Sequence, residues 1–291
     1  MKKSKGLQAI EKPLASLPHA LGKHILEHIQ KTTYYEPIIG IMGKTGAGKS
    51  SLCNALFQGE VTPVSNVDAC TRDILRFRLS NDSHSLMIVD LPGVGESEQR
   101  DNEYTALYRR ILPELDLVLW VIKADDRALS VDEHFYRKVM VAYQHRVLFV
   151  VNQVDKAEPC YQWNTNSNTP SQNQQSTIEA KRNALKQQFS PHHPVCVVSA
   201  RTGWGMEAMV DTMMQSLPDH ATSPLATQLH RRLCGEPVKK QARESFGNAV
   251  GEVLDSAEAA PFIPAPLKAV IRTIRDAVVS AACAVWDWIF F

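Results

Sequence analysis

From Pro37 onward, short apolar runs alternate with amphipathic stretches along the chain. The runs cover residues 38–42, 74–79, 86–89, 117–122, 147–151 and 195–198. Between them, apolar positions recur at helical spacing near 49–57, 102–110, 131–144, 177–188 and 205–216. Strands that alternate with helices predict an α/β fold, a mainly parallel sheet covered by helices on both faces. Ahead of this pattern, Leu14, Leu17, Leu21, Ile25 and Ile29 predict one or two helices over 7–33, with Pro13 and Pro18 limiting the first turn. After Pro218 the alternation stops. Residues 224–258 and 264–291 read as helical, separated by the cluster Pro261, Pro264 and Pro266. The chain thus divides into an N-terminal helical segment (1–35), an α/β domain (36–217) and a C-terminal helical region (218–291). Within the α/β domain, residues 162–177 are almost wholly Asn, Gln, Ser and Thr around Trp163 and Pro170, which predicts a polar surface insertion over about 158–177.

Composition narrows the class. Of 291 residues, 44% are hydrophobic and 22% charged, a globular balance that excludes wholesale disorder. Lys and Arg number 32 against 31 Asp and Glu, so any charge-driven partner must be met by a local patch. The cysteines (Cys53, Cys70, Cys160, Cys196, Cys234 and Cys283) are scattered without a CxxC pair. That argues against a disulfide framework and a zinc module, and fits a reducing cytosol. No signal peptide is expected at the amphipathic N-terminus. The apolar stretch 278–291 is shorter than the ~20 residues of a spanning helix, and Asp287 interrupts it.

The strand at 38–42 runs into Gly43-Lys44-Thr45-Gly46-Ala47-Gly48-Lys49-Ser50, with Ser51 following. This is G-x-x-x-x-G-K-[ST] between a strand and a helix, the context that a P-loop requires. Glycines let backbone N–H groups wrap phosphate oxygens, and the helix N-terminus adds positive potential. Lys49 reaches the terminal phosphates, and the Ser50 hydroxyl suits Mg²⁺. The pattern predicts binding of a nucleoside triphosphate.

Further motifs follow successive strands, where open α/β sheets bind ligands. Asp90-Leu91-Pro92-Gly93 matches DxxG, Asn152-Gln153-Val154-Asp155 matches N-K-x-D except at Gln153, and Ser199-Ala200 matches an S-A element. In this order they resemble the motif series of GTPases of the translation-factor-like class. Thr71-Arg72-Asp73 and Ser199-Ala200-Arg201-Thr202-Gly203-Trp204-Gly205 are similar to the T-T-R-D and S-A-x-x-G-x-G elements of the Era, TrmE and EngA GTPases. The pairing of DLPGVGE with a long polar insert most resembles the YfjP/YkfA/YeeP group of Era-like GTPases. The resemblance covers about 36–217 and implies a P-loop G domain binding GTP/GDP and Mg²⁺. Asp90 would hold Mg²⁺ through water, Gly93 N–H would face the γ-phosphate, and Thr71 would close onto both. Asp155 would accept the N1–H and N2–H donors of guanine, a pair that adenine lacks, and Ala200 N–H would meet guanine O6.

Three positions depart from the resembled pattern. Gly46 stands where potassium-activated members place Asn, so potassium should not stimulate turnover. Val94 stands where a water-orienting Gln is found, so intrinsic hydrolysis should be slow unless Glu96, Glu98, a partner or a second subunit supplies the missing group. Gln153 replaces the lysine whose stem stacks on the base.

Outside 36–217 the signals are weaker. By resemblance the effector would be a ribosome or RNA, and the location cytoplasmic. The C-terminal region holds no GxxG loop of a KH domain but a GxxxG, Gly247 to Gly251. His230, Arg231, Arg232, Lys239, Lys240 and Arg243 form a basic cluster, read as a solvated helix face before a phosphate-binding one. In the last helix an apolar stripe (Leu267, Val270, Ile271, Ile274, Val278, Ala281 and Val285) faces away from Lys268, Arg272 and Arg275. The stripe is expected to pack on the protein, with Trp286 and Trp288 accessible enough for weak contact with a membrane surface. The alternative is a peripheral membrane-remodelling GTPase that works through this helix. His24-Ile25-Leu26-Glu27-His28 matches a zinc-peptidase pattern and is read instead as an exposed helical face.

Overall fold

A strand turns successive side chains to opposite sides of its sheet, so a strand apolar at every position must be covered on both. The computed structural model, which describes residues 2–64, 74–81, 84–93 and 98–291, shows this in the central strands. Its strands are β1 (Ile38–Met42), β2 (Glu60–Val64), β3 (Leu75–Asn81), β4 (His84–Asp90), β5 (Leu117–Lys123), β6 (Val147–Asn152) and β7 (Cys196–Val197). They form one sheet in the order β2-β3-β4-β1-β5-β6-β7. Neighbours from β4 to β7 pair in parallel, while β2 and β3 add an antiparallel edge. In β5, Leu117, Leu119 and Val121 enter one core and Val118, Trp120 and Ile122 the other.

The second of these cores lies under α4 (Glu98–Ile111), α5 (Ser130–Lys138) and α6 (Gln172–Phe189), where Trp120, Phe135, Tyr136, Phe149 and Phe189 stack on one another. The first lies under α3 (Lys49–Leu56), α7 (Met206–Ser216) and a thick helical layer drawn from both ends of the chain. In that layer α8 (Asp219–Gln228) lies on β3 and β4, and α9 (Glu236–Ala259) covers α8. In turn α10 (Ala265–Ala284) packs on α9, and α1 (Lys2–Leu14) packs on α10 and on α11 (Trp286–Phe290). Between α1 and the sheet domain, α2 (His19–Thr33) packs on α8 and α9.

Several expectations are corrected here. The edge strand β2 was not among the expected strands; Pro63 and the polar Glu60 and Thr62 dilute its apolar signal. The polar insertion ends at Ser171, because Ser171 and Gln174 form a capping box that starts α6 at Gln172. Both Gln174 and Trp163 are buried. The helix expected over 224–258 is broken between α8 and α9, and Pro224 lies inside α8.

The GxxxG lies where α10 crosses α9. A Cβ on Gly247 would meet Cys283 Sγ at 2.7 Å, and one on Gly251 would meet Arg275 at the same distance. Gly247 therefore lets α10 close onto α9, while at Gly251 only the flexible tip of Arg275 would have to move. Arg275 then pairs with Asp255 at 2.6 Å, and Arg272 pairs with Glu258. The cationic face offered to a membrane is thus largely neutralised within the fold. Trp286 is fully buried, and its Nε1–H donates to Ser223 Oγ at 2.8 Å; of the two tryptophans expected to be accessible, only Trp288 is exposed. No helix among the described residues is long and apolar enough to cross a membrane.

Candidate functional site

The loop after β1 turns through three glycines with positive φ: Gly43 at 145°, Gly46 at 82° and Gly48 at 88°. A Cβ on Gly43 would lie 2.2 Å from Val121 O, so only glycine lets this loop leave the sheet here. Gly48 is the N-cap of α3, and Lys49 and Ser50 form its first turn. Lys49 Nζ donates to Gly43 O at 3.0 Å, which arches the side chain over the loop. Across the loop, Asp90 ends β4. Its Oδ1 is buried and has no hydrogen-bond partner among the described residues. Burial pushes the Asp90 carboxyl up, and the nearby Lys49 ammonium opposes that. Lys49, Ser50, Cys53 and Asp90 open into one cavity of about 550 Å³. An orphaned carboxylate oxygen beside a hydroxyl is a donor set suited to a hard divalent cation. Burial pushes the Cys53 thiol to about 12, so it is inert at this position. Gly93 lies flat against the loop, where a Cβ would stand 3.1 Å from Gly43 O.

A second group of residues gathers at the ends of β6 and β7. Asn152 is buried, and its Nδ2 donates to Ala47 O at 3.0 Å while its Oδ1 accepts from Ala200 N–H at 3.1 Å. One amide therefore ties the P-loop to the Ser199-Ala200 turn. Gly48 must lack a Cβ for this, since one would sit 2.5 Å from Asn152 Nδ2. Gln153 adopts a left-handed conformation (φ 63°) and donates from Nε2 to Gly46 O at 2.7 Å. Asp155 is buried, with Ser199 Oγ donating to Oδ1 at 2.7 Å and Arg201 donating to Oδ2 at 2.6 Å.

Residues 38–153 match the family described as "50S ribosome-binding GTPase". GTPase Era of Thermoanaerobacter sp. (strain X514) is 29% identical over 118 residues, which cover 40% of this chain and 39% of Era. Over 291 residues the chain is 54% identical to YkfA and 53% identical to YfjP, both of Escherichia coli (strain K12), and each alignment covers 100% of both chains. The chain belongs to the YkfA/YfjP group of Era-like P-loop GTPases. In this GTPase the P-loop, the DxxG loop, the Asn152–Asp155 turn and the Ser199-Ala200 turn converge at one end of the parallel strands. Thr71 lies outside the described residues, as do Cys70, Val94 and Glu96.

Several side chains of the candidate site find partners within the fold. Lys44 turns away from the phosphate loop and pairs with Asp126 at 3.0 Å and with buried Asp132 at 3.2 Å. Burial pulls the Lys44 ammonium down, but these two carboxylates outweigh it, and the net shift is upward. Lys44 thus pins the loop to the β5–α5 connection, leaving only its backbone for phosphate. Thr45 stays exposed, as do Ser50 and Ser51 in α3. The Gln153 amide is held by the P-loop, and the Ala200 N–H by Asn152. Sequence reasoning missed Asp126, Asp132 and Arg201 as partners of site residues. The charge of Lys44 hinted at an acidic neighbour, but nothing in the pattern named which acid.

The basic cluster of the C-terminal region also has specific partners. His230 N–H donates to Leu56 O at 3.0 Å, its ring Nε2 lies 2.9 Å from Asn54 O, and Gln58 N–H donates to Gln228 O at 2.8 Å. The last carbonyls of the P-loop helix are therefore capped by the helical layer. Arg243 pairs with Asp287 at 2.8 Å, and Lys240 lies 3.8 Å from Glu244.

Proposed function

We propose that this chain is a molecular switch that binds GTP with Mg²⁺, hydrolyses it slowly and signals the difference between GTP and GDP to an effector. The reading takes residues 36–217 as the nucleotide-binding unit and the remaining helices as the layer that couples it to a partner. One observation supports it most: Asn152 ties the P-loop to the Ser199-Ala200 turn, and Ser199 of that turn holds the buried Asp155 carboxylate. A carboxylate there accepts two N–H donors from one base edge, and guanine carries such a pair.

The roles follow from position. Backbone N–H groups of residues 43–50 cradle the phosphates, and Lys49 bears on the terminal ones. Ser50, Asp90 and Thr71 would hold Mg²⁺, which supplies charge neutralisation at the transferring phosphoryl group. Gly93 offers its N–H to the γ-phosphate. The description of the matched family favours a ribosome as the partner; RNA as a partner and a cytoplasmic location are part of the same proposal.

The test is turnover. Purified protein should hydrolyse GTP at roughly 10⁻⁴–10⁻³ s⁻¹, the range of small GTPases without an activator. Exchange of sodium for potassium should leave that rate unchanged, and Lys49→Ala should abolish it. Several turnovers per second without a partner, or a large potassium stimulation, would contradict the reading.

A further inference from the structure

The base-reading carboxylate already has a ligand of its own. Asp155 is 1% exposed at its side chain, and a carboxylate so buried must be matched by donors. Ser199 Oγ, itself buried, supplies one to Oδ1. The other comes from Arg201, whose guanidinium reaches Oδ2 at 2.6 Å while its side chain stays 71% exposed. A guanidinium edge and the N1–H/N2–H edge of guanine are chemically alike, each a planar pair of N–H donors. Arg201 is anchored by its tip on a carboxylate, with its stem in water, so rotation outward costs it little packing. Ser199 has no such freedom.

We propose that Arg201 is an internal competitor of guanine: it occupies the Asp155 carboxylate in the nucleotide-free chain and sets the affinity for guanine nucleotides by having to be displaced. The proposal rests on the guanine-binding reading above. When a site is open for only a fraction of the time, apparent affinity falls by that fraction. The competitor acts on association, because the base must wait for Arg201 to leave. It acts on guanine alone, because an adenine nucleotide held by its phosphates makes no demand on Asp155.

The test uses the full chain and fluorescent GDP and ADP analogues, with wild type, Arg201→Ala and Arg201→Lys compared in stopped flow. Arg201→Ala should bind GDP about tenfold more tightly, the equivalent of about 1.4 kcal/mol, through faster association with little change in dissociation. ADP binding should not change, and Arg201→Lys should fall between the two. In thermal unfolding, GDP should raise the melting temperature of Arg201→Ala by more than it raises that of wild type. Unchanged or weaker GDP binding by Arg201→Ala overturns the proposal, and so does an equal gain for ADP. Should Arg201→Ala fail to fold, Arg201→Lys decides by the same direction. A wild type without preference for GDP over ADP sinks the guanine reading itself, a result distinct from failure of the Arg201 variants.

Discussion

At the scale of single residues, the site holds a buried polar atom that a cation would satisfy. The atom belongs to Asp90. Its carboxyl is pushed up from its ordinary value by burial, against the pull of Lys49, and its Oδ1 is unpartnered among the described residues. Between the ordinary carboxylate pKa and the raised native one, the native state holds the proton that the unfolded state has lost. Asp90 therefore lowers stability as pH rises through that window. Divalent-cation binding runs the other way, since it needs the deprotonated form and should weaken as pH falls through the native pKa. Asp90→Asn is expected to remove this share of the pH slope of nucleotide-free stability and to abolish stabilisation by Mg²⁺ with nucleotide. Thermal unfolding across pH, with and without Mg²⁺, reads both. The candidate residues that the structure describes stand out in the sequence because they lie at or just beyond strand ends. Their side-chain partners were not: Lys44 finds Asp126 and Asp132 more than eighty positions away, through a contact that only the closed sheet creates.

At the scale of elements, strands β1, β5 and β6 were legible because they are apolar along nearly their whole length, with Lys123 and Asn152 only at the ends of β5 and β6, while β2 was hidden by Pro63. The amphipathic period of α10 was legible too, but period alone does not say what covers the stripe. The deciding information is Gly247 of α9, whose missing side chain admits α10, and the carboxylates of Asp255 and Glu258 that meet its arginines. Trp286 lies at the heart of this packing, bonded to Ser223, which in turn donates to Ala242 O at 2.8 Å. Trp286→Ala should cost about 3–5 kcal/mol in denaturant unfolding, as large buried aromatics do. Trp288→Ala, at a half-exposed position, should stay within about 0.5 kcal/mol of wild type. Equal effects would mean that α11 is not docked as described.

At the scale of the whole molecule, the two ends of the chain form one helical layer that shares a core with one face of the sheet and grips the far end of the P-loop helix. That grip, at Gln58 and His230, lies where the chain leaves α3 for β2 and the segment holding Thr71. The proposed switch would use this grip to couple the P-loop helix to the layer. All of this depends on guanine being what Asp155 reads. The most direct measurement is a competition of GDP, ADP and XDP for the purified protein and for Asp155→Asn. The wild type should prefer GDP. The amide should lose affinity for GDP by about 1–3 kcal/mol, the cost of a mismatched buried hydrogen bond, and gain for XDP, whose base carries an acceptor at C2. Equal binding of adenine and guanine nucleotides by the wild type would contradict the account.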